Sequence, residues 1–491
     1  MWCLPLLVFP YLASCGFAHR TAAHDKRSFV ERAGVVYNVF EHGSTGARIE
    51  FIMDSSICEM TPGVKQYSGY LSVGNNLDMW FWFFEARNSP TTAPLAAWFN
   101  GGPGCSSMIG LFQENGPCKF ELGAQNTKPI NNTFSWNNNV NMLYIDQPVE
   151  VGFSMGNSSA ISTDTASPYV WTFLQAFYAA FPTYKSRDFG IFTESYGGHF
   201  GAAFTKYIQE QNRAKAGEHI NIVALGINNG WHDSIIQTPA YVDFAYNNTY
   251  RPFITPAQHT KYKQWYEDYC LPDLLLCNTT GSNFDCATAD RACTAVVESP
   301  LYNLIDFDLY DIRKPSNNNE PPNNFLAYLK NKDVLRAIGA KRVFEECSAE
   351  VSRRFVETGD SECLDGCDLV MMLILLDSRS YLDELSEVVR SGITTLIWAG
   401  DADYICNWYG VFDVANQIEY PGRSAFSTKP LEPYTVGGVA RGSFKTQDNL
   451  SFLRVYEAGH MVMYYRQLVS VPELSLQVFE QTMRKRVIVP M

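Results

Sequence analysis

The chain has 491 residues, of which 46% are hydrophobic, 14% aromatic and 18% charged, and its formal net charge is −13. This composition indicates a folded globular protein, because disordered chains carry more charge and fewer apolar side chains. The acidic balance argues against nucleic acid and anionic membranes as partners, since both attract clusters of lysine and arginine. The 13 cysteines are too many for idle cytosolic thiols and indicate an oxidising compartment.

Residues 1–18 resemble a secretory signal peptide. They are uncharged and almost entirely apolar, and Gly16 and Ala18 occupy the −3 and −1 positions of a small-residue cleavage site. The basic residues that usually begin such a peptide are missing. No other apolar run approaches the ~20 residues of a membrane helix, so no membrane partner is expected. The sequence therefore predicts a secreted, extracellular protein, with the vacuole as the alternative.

Acceptor motifs for N-linked glycan agree with secretion. The pattern Asn-x-Ser/Thr is common by chance, but together with a signal peptide it predicts surface loops that carry glycan. The acceptors are Asn131, Asn157, Asn247, Asn278 and Asn449.

Short apolar runs bounded by turn residues predict buried strands. In chain order they lie at 81–85, 95–99, 142–145, 189–192, 222–227, 394–398 and 452–456. Helical patterns occur between them, at 170–181 and 200–212 for example. Alternating strands and helices predict an α/β fold with a mostly parallel central sheet.

The alternation breaks between about residues 231 and 365. This stretch contains four closely spaced cysteines and the polar run SNNNEPPNN, which predicts a disulfide-rich cap insertion at 231–365. We expect one large domain whose catalytic core comprises 58–230 and 366–491. The signal peptide at 1–18 and an N-terminal segment at 19–57 precede it.

The segment IFTESYGGHF at 191–200 predicts a nucleophile. An apolar strand runs directly into Ser195, and a helical pattern follows, so the serine occupies a sharp and exposed turn. Thr193 stands where the usual G-x-S-x-G pattern has its first glycine.

A serine hydroxyl needs a base, and in this fold class an acid and then a histidine follow the serine in the chain. His460 lies in a glycine-containing loop just after a predicted strand, whereas His199 is better interpreted as a packed helix residue. The loop GDADYICNW after strand 394–398 offers Asp401 and Asp403 as the acid. Spacing alone does not choose between these two aspartates.

The loop WFNGGPGCSS at 98–107 follows another predicted strand and can supply backbone N–H groups to an oxyanion hole. Glu194 stands beside the nucleophile in a turn that should be buried, where a carboxylate needs a partner or a proton. Glu114 follows the glycine loop and can meet it, so that two carboxyls share one proton. The alternative is that Glu194 caps the helix that it precedes. The sequence supports these two interpretations of Glu194 equally.

These motifs together resemble the serine carboxypeptidases (peptidase family S10) of the α/β-hydrolase fold. The matching blocks are WFNGGPGCSS, DQP followed by GFS at 146–154, ESYGGH, GDADYICNW and EAGHM, and they extend from about residue 58 to 465. The closest branch is that of the fungal carboxypeptidase S1-like enzymes, which also carry T-E-S-Y-G-G.

The resemblance implies a role for each candidate residue. Ser195, Asp403 and His460 match the catalytic triad, which leaves Asp401 structural. The backbone N–H groups of Gly102 and Tyr196 match the oxyanion hole. The residues that match the binding site for the substrate's terminal carboxylate are Asn100, Glu114 and Glu194.

The expected activity is therefore removal of single C-terminal amino acids from peptides and proteins at acid pH, through an acyl-enzyme and without a metal or cofactor. The partner is a peptide or protein substrate with a free C-terminus. Because the carboxyl pair loses its proton as pH rises, kcat/KM is expected to fall above about pH 6–7 through KM. The alternatives are an acyltransferase or esterase on the same scaffold, or a weakened pseudo-enzyme that acts as a binding protein.

Three positions depart from the family pattern. Gly201-Ala202 stands where a Gly-Pro commonly begins the helix core. Glu150 replaces the first glycine of D-Q-P-x-G-x-G-F-S, where a positive φ would strain a glutamate. Met463 replaces a proline after the histidine. These departures affect loop rigidity and pocket shape but no triad position.

The family's nested pattern implies the disulfides Cys270–Cys293 and Cys277–Cys286, and Cys105 is expected to pair with Cys347. Cys58, Cys118, Cys363 and Cys367 form two more bonds in an order that the sequence leaves open. Cys406 remains as a buried free thiol near the active site.

Overall fold

The structure is a computed structural model that describes residues 24–121, 128–318, 320–360, 378–464 and 470–490. The predicted signal peptide, Cys363 and Cys367 lie outside the described residues. Within the described part of the chain, no helix is long and apolar enough to cross a membrane.

A sheet of 13 strands organises the fold, with the strand order β1-β2-β3-β4-β5-β9-β6-β10-β11-β14-β17-β16-β15. Two further pairs, β7 with β8 and β12 with β13, lie outside it. The strands are β1 Lys26–Arg32, β2 Val35–Glu41, β3 Arg48–Met53, β4 Gln66–Gly74, β5 Leu77–Phe84, β6 Leu95–Phe99, β7 Cys118–Lys119, β8 Ile130–Asn131, β9 Asn141–Ile145, β10 Phe189–Glu194, β11 Ile222–Asn228, β12 Phe307–Asp308, β13 Asp311–Pro315, β14 Thr394–Gly400, β15 Glu432–Val436, β16 Val439–Gln447 and β17 Leu450–Val455.

The centre of the sheet is parallel, as predicted. Strands β9, β6, β10, β11, β14 and β17 pair in parallel with their neighbours in that order, and β6, β10 and β14 are buried along their whole length. Such strands read as continuous apolar runs because helices cover both faces. The flanks are antiparallel, with β1–β5 on one side and β16 and β15 on the other.

Helices surround this sheet on both faces. Their bounds are α1 Thr163–Ala180, α2 Gly197–Ala214, α3 Ser234–Tyr246, α4 Pro256–Trp265, α5 Leu271–Thr280, α6 Asn283–Cys293, α7 Ser299–Tyr302, α8 Asn324–Leu329, α9 Lys332–Ile338, α10 Ala349–Glu357, α11 Leu382–Arg390, α12 Trp408–Gln417, α13 Arg423–Thr428 and α14 Ser470–Met483.

Each face of the sheet has its own hydrophobic core, because successive side chains of a strand point to opposite faces. On β5, Phe81 and Phe83 join the core that α1 and α2 cover, whereas Trp80 and Trp82 join the core that α14 covers. All four aromatic side chains are fully buried. Burying a large apolar side chain stabilises the fold by about 1.5–3 kcal/mol, so these two layers fix the central strands in place.

Residues 231–365 contain helices α3–α10, and the helices α3–α7 share a third core with residues 402–406 of the loop after β14. The disulfide Cys277–Cys286 joins α5 to α6, and Cys270–Cys293 joins the residue before α5 to the last residue of α6, as the predicted nested pattern requires. Cys105–Cys347 is also confirmed, and Cys58 pairs with Cys118, which the sequence left open.

Candidate active site

The candidate site residues follow the carboxyl ends of adjacent parallel strands. Such ends meet at one edge of a sheet, where open α/β folds place their ligand sites. Asn100 follows β6, Ser195 follows β10, and Asn228 is the last residue of β11. Asp403 and His460 lie in the loops after β14 and β17.

Ser195 lies in the predicted sharp turn between β10 and α2. Its backbone φ of +64° falls in the left-handed region, which residues other than glycine seldom adopt. Its N–H donates to the carbonyl of Asn228 at 3.1 Å, and its own carbonyl accepts from the N–H groups of Gly198 and Trp231, each at 2.9 Å. A Cβ on Gly198 would lie 2.1 Å from the Trp231 carbonyl oxygen, so only glycine fits. The strained turn is therefore fixed by backbone hydrogen bonds from both arms.

His460 is hydrogen-bonded to Asp403 and not to Asp401. The imidazole Nδ1 lies 2.8 Å from Asp403 Oδ2, and both side chains are buried. Asp403 also accepts from Asn229 Nδ2 at 2.8 Å and from the N–H groups of Ile405 and Cys406 at 3.1 and 3.2 Å. A carboxylate with these donors holds the ring in one tautomer and orientation.

Asp401 has a different set of partners. Its carboxylate accepts from Tyr250 at 2.5 Å, from Arg454 Nη2 at 2.9 Å and from the N–H of Glu457 at 2.9 Å. These contacts connect the loop after β14 to β17 and to the loop that precedes the histidine. The geometry thus separates the two aspartates that spacing could not distinguish.

Cys406 lies in the same cluster. It is the free, buried cysteine among the described residues, and its sulfur lies within 4.8 Å of ligand atoms of Asp403 and His460. Burial, and then the charge of Asp403, raises the pKa of this thiol well above its ordinary value. The thiol is therefore protonated and acts as a small polar neighbour of the serine.

The glycine loop packs directly against this turn. A Cβ on Gly101 would lie 2.5 Å from the N of Tyr196 and 2.9 Å from Ser195 Cβ, so the absence of a side chain allows the close approach. The loop is held from behind by Asp146, which accepts from Ser106 Oγ at 2.6 Å and from Ser107 N at 3.1 Å. Burial raises the pKa of Asp146 to about 7.

A pair of carboxyl groups lies beside the nucleophile. Glu114 and Glu194 are both buried, and they lie side by side because one amide nitrogen reaches an oxygen of each. Asn100 Nδ2 donates to Glu114 Oε1 at 3.3 Å and to Glu194 Oε1 at 3.4 Å. Burial raises the pKa of both carboxyls, and the charge of Glu114 raises the pKa of Glu194 further. The pair therefore retains a shared proton above the ordinary range of carboxylic acids.

The orientation of Asn100 is fixed by neighbouring donors. Its Oδ1 accepts from Trp98 Nε1 at 2.7 Å and from the N–H of Gly110 at 2.9 Å, so its amide NH₂ faces the carboxyl pair. Gly110 begins the short π-helical turn Gly110–Glu114, which brings Glu114 to Glu194. The structure thus places the two carboxyls together, and the partners of Glu194 are the side chains of Asn100 and Asn228.

Several residues of the cluster were missed in the sequence. Asn228 and Asn229 bond to Glu194 and Asp403, and the carbonyl of Tyr310 accepts the N–H of His460 at 2.8 Å. Two adjacent asparagines at the end of an apolar strand were the available signal, because buried amides require partners. Tyr310 gave no signal, since it lies far from the motifs in the sequence and joins the site only in the fold.

The structure shows the surroundings of two of the departures from the family pattern, Glu150 and Met463. Glu150 has a φ of +85°, and its carboxylate forms an ion pair with Arg354 on α10. Met463 is buried in the short helical turn Val462–Tyr464.

Comparison with known proteins identifies the family. A model of the serine carboxypeptidase family matches residues 58–485, and the chain therefore belongs to that family. The prediction of a serine-type carboxypeptidase is confirmed at this level.

Two curated relatives and one solved structure illustrate the match. Carboxypeptidase S1 of Penicillium janthinellum is 54% identical over 441 residues, which cover 89% of this chain and 99% of the relative. Carboxypeptidase Y of Komagataella phaffii is 36% identical and covers 82% of this chain and 73% of its own. The structure of Kex1, a prohormone-processing carboxypeptidase from Saccharomyces cerevisiae, superimposes with a TM-score of 0.68 at 22% identity over 87% of this chain and 92% of Kex1. This likeness confirms the predicted α/β-hydrolase fold.

Proposed function

We propose that this protein removes single amino acids from the free C-termini of peptides and proteins at acid pH, through an acyl-enzyme on Ser195. The observation that carries the proposal is the buried carboxyl pair, joined by Asn100, with Glu194 directly before the serine. An endopeptidase or a general esterase does not need a proton-sharing pair at this position. An enzyme that binds a substrate ending in a carboxylate does need one.

The chemistry follows from the positions of the side chains. His460 takes the proton of the Ser195 hydroxyl as the oxygen attacks the last peptide carbonyl, and Asp403 stabilises the imidazolium that forms. The N–H groups of Gly102 and Tyr196 stabilise the oxyanion. The imidazolium then gives its proton to the leaving amine, the C–N bond breaks, and a free amino acid departs. Water, deprotonated by His460, hydrolyses the ester and restores Ser195.

The carboxyl pair supplies both specificity and pH dependence. With one proton shared, Glu114 and Glu194 can donate a hydrogen bond to the substrate's terminal carboxylate, and Asn100 supplies another donor. When the pair loses this proton as pH rises, three negative groups face one another and binding weakens. KM is therefore expected to rise as pH increases.

The test compares a blocked peptide that has a free C-terminal carboxyl with the same peptide as its C-terminal amide. The free acid should be cleaved at least about 100-fold more efficiently at acid pH, because the amide leaves buried polar groups unpaired. Ser195→Ala should lower kcat by about 10⁵–10⁶-fold. Equal cleavage of acid and amide, or a KM that stays flat from acid to alkaline pH, would refute the role of the pair.

The other functions predict other outcomes. An acyltransferase or esterase would transfer the acyl group to an added alcohol and would not distinguish acid from amide. A binding protein with an inactive site would not react with a fluorophosphonate, whereas the proposed enzyme is labelled once per chain and only when Ser195 is present.

We further propose that the protein is secreted and glycosylated, with the vacuole as the alternative location. Exposed side chains support four of the five acceptors, namely Asn131, Asn157, Asn247 and Asn278. Asn449 is different, because its amide donates to the carbonyls of Val389 and Ile393 at 2.9 and 2.6 Å, and a glycan on this nitrogen would disrupt both bonds. Peptide mapping before and after glycosidase treatment of the protein from culture medium and from vacuoles tests both points.

A further inference from the structure

Asn228 contacts three parts of the candidate site at once. Its side-chain nitrogen donates to Glu194 Oε2 at 2.7 Å and to the carbonyl oxygen of His460 at 2.8 Å. Its backbone carbonyl accepts the N–H of Ser195 at 3.1 Å. The residue is fully buried at the end of β11, between β10 and β14.

The amide orientation follows from these partners. The carbonyl of His460 can only accept a hydrogen bond, so the atom that faces it must be the NH₂ group of Asn228. The same group faces Glu194 Oε2, while Glu194 Oε1 faces Asn100. The shared proton of the carboxyl pair therefore does not lie on the Glu194 oxygen that Asn228 contacts.

We propose that Asn228 is a positioning residue that holds the carboxyl pair and the histidine loop together and thereby sets the upper pH at which a C-terminal carboxylate still binds. This inference rests on the proposed function of the pair. In this role Asn228 does not have to contact the substrate. It acts through Glu194 and through the backbone of His460.

The direction of the effect follows from the hydrogen bond. A donor to a carboxylate stabilises the ionised form, so Asn228 lowers the pKa of Glu194 against the larger, opposite effect of burial. Without this donor, the pair retains its proton to higher pH. The rise in KM should then move toward higher pH, by about one pH unit for one charged hydrogen bond.

Other titratable groups also face the carboxyl pair. They lie on the elements packed against Glu114 and Glu194, and they are Tyr144, Tyr310, Asp403, Cys406 and His460. The charge of Asp403 raises the pKa of Glu194 and that of His460 lowers the pKa of Glu114. Asp403 keeps its bonds to Asn229 and to the His460 imidazole when Asn228 is changed, whereas the His460 carbonyl loses a donor. The Glu194→Gln background therefore assigns the shift to the bond with Glu194.

The experiment measures KM and kcat against pH for a free-acid peptide in the wild type, in Asn228→Leu and in Asn228→Ser. Leucine is similar in size and has no donor, so the KM midpoint should move up by about one pH unit. Kcat should fall too, because the carbonyl of His460 loses its donor. Serine has one donor for two acceptors and should shift the midpoint less. The serine variant also tests the proposal if the leucine variant fails to fold.

Asn212→Leu is the matched control. Asn212 also bonds through its amide, to the backbone of Ile220 at 2.8 and 3.0 Å, but it lies near the end of α2, about 25 Å along the helix from Ser195. It should lower stability without moving the KM midpoint. In a Glu194→Gln background, Asn228→Leu should no longer shift the midpoint, because its partner cannot ionise.

The outcomes separate the two proposals. If wild-type KM does not depend on pH or on the terminal carboxyl, the proposed function of the pair is wrong. If wild-type KM rises with pH but both Asn228 variants keep its midpoint, or shift it equally with Glu194→Gln present, the role of Asn228 is refuted while the function stands.

Discussion

Glu150 has a backbone φ of +85°, a conformation that costs a residue other than glycine about 1 kcal/mol or more. The serine carboxypeptidase family usually has glycine at this position. In this chain the glutamate forms an ion pair with Arg354, whose side chain is only 12% exposed. Arg354 also donates to the carbonyl of Ser158 at 2.6 Å. The contact with α10 therefore offsets the backbone strain.

Substitutions at Glu150 should separate strain from pairing. Glu150→Ala keeps the strain and loses the pair, and should lower the free energy of unfolding by about 1–2 kcal/mol. Glu150→Gly also loses the pair but relaxes the backbone, and should recover about 1 kcal/mol of this loss. Urea denaturation measures both, with the exposed Glu345→Ala as the control. Equal stability of the alanine and glycine variants would show that the backbone is not strained.

At this scale the sequence identifies side chains by chemistry but not by contact. Ser195 and His460 were found from the motifs that surround them, because a strand-turn-helix segment and a glycine loop are local features. Asp401 and Asp403 remained equivalent without the family resemblance, since both stand in one loop. Only the fold brings Asp403 to the imidazole and turns Asp401 toward Tyr250 and Arg454.

The segment around α10 is the element that supports the glycine loop. Cys347 bonds to Cys105 across 242 residues of sequence. Ser348 N donates to the carbonyl of Gly104 at 2.8 Å, and Ser352 Oγ donates to the carbonyl of Pro103 at 2.8 Å. The candidate oxyanion donor Gly102 thus lies in a loop that Cys347 and the start of α10 hold in place.

Removal of the Cys105–Cys347 disulfide should therefore affect catalysis as well as stability. The double alanine variant should lose about 2–4 kcal/mol of unfolding free energy. Kcat should fall about tenfold or more, because a displacement of the loop near 1 Å misplaces the oxyanion donors. Steady-state kinetics of the folded fraction measures the change.

The control for this prediction removes Cys277–Cys286, a disulfide within the α5–α6 pair with a separation of only 9 residues. It should lower stability and leave kcat unchanged. An equal fall of kcat in both double variants would mean that the effect is general loosening of the fold rather than movement of the glycine loop.

Within the main sheet, the strands that the sequence did not predict are the antiparallel ones on its flanks, β1–β4, β15 and β16. Strand β1 is exposed along nearly all of its length, and β15 and β16 are only partly buried, so none has the continuous apolar run of a central strand. These strands form by pairing with a neighbour in the antiparallel direction. Central strands are specified by burial on two faces, and that property is visible in the sequence.

Over the whole molecule, buried carboxyl groups and buried histidines have opposite effects on stability as pH changes. Burial raises the pKa of Asp146 to about 7 and raises the pKa values of Glu114 and Glu194, so these groups stabilise the fold at acid pH and lose that contribution as pH rises. Burial has the reverse effect on His199 and His232, whose pKa values it lowers to about 3. Their contribution is complete above the unfolded pKa near 6.5 and is lost as pH falls toward 3.

The two histidines should therefore limit stability at the acid pH where the enzyme is proposed to work. His199 is fully buried, with its ring 4.8 Å from that of Tyr196 and 4.5 Å from that of Tyr381, so phenylalanine can replace it in shape. Between pH 6.5 and 4.5 the wild type should lose up to about 1.4 kcal/mol per pH unit for each histidine. His199→Phe should remove one of these two contributions and flatten the dependence of unfolding free energy on pH.

Urea denaturation across that pH range measures the slope in the wild type, in His199→Phe and in His219→Gln. His219 is exposed in the folded protein, so its surroundings change little on unfolding and its variant should keep the wild-type slope. The buried carboxyls act in the opposite direction in all three proteins, so they cancel from the comparison. If His199→Phe retains the full wild-type slope, His199 is protonated in the folded protein, and the acid limit of stability must come from other groups.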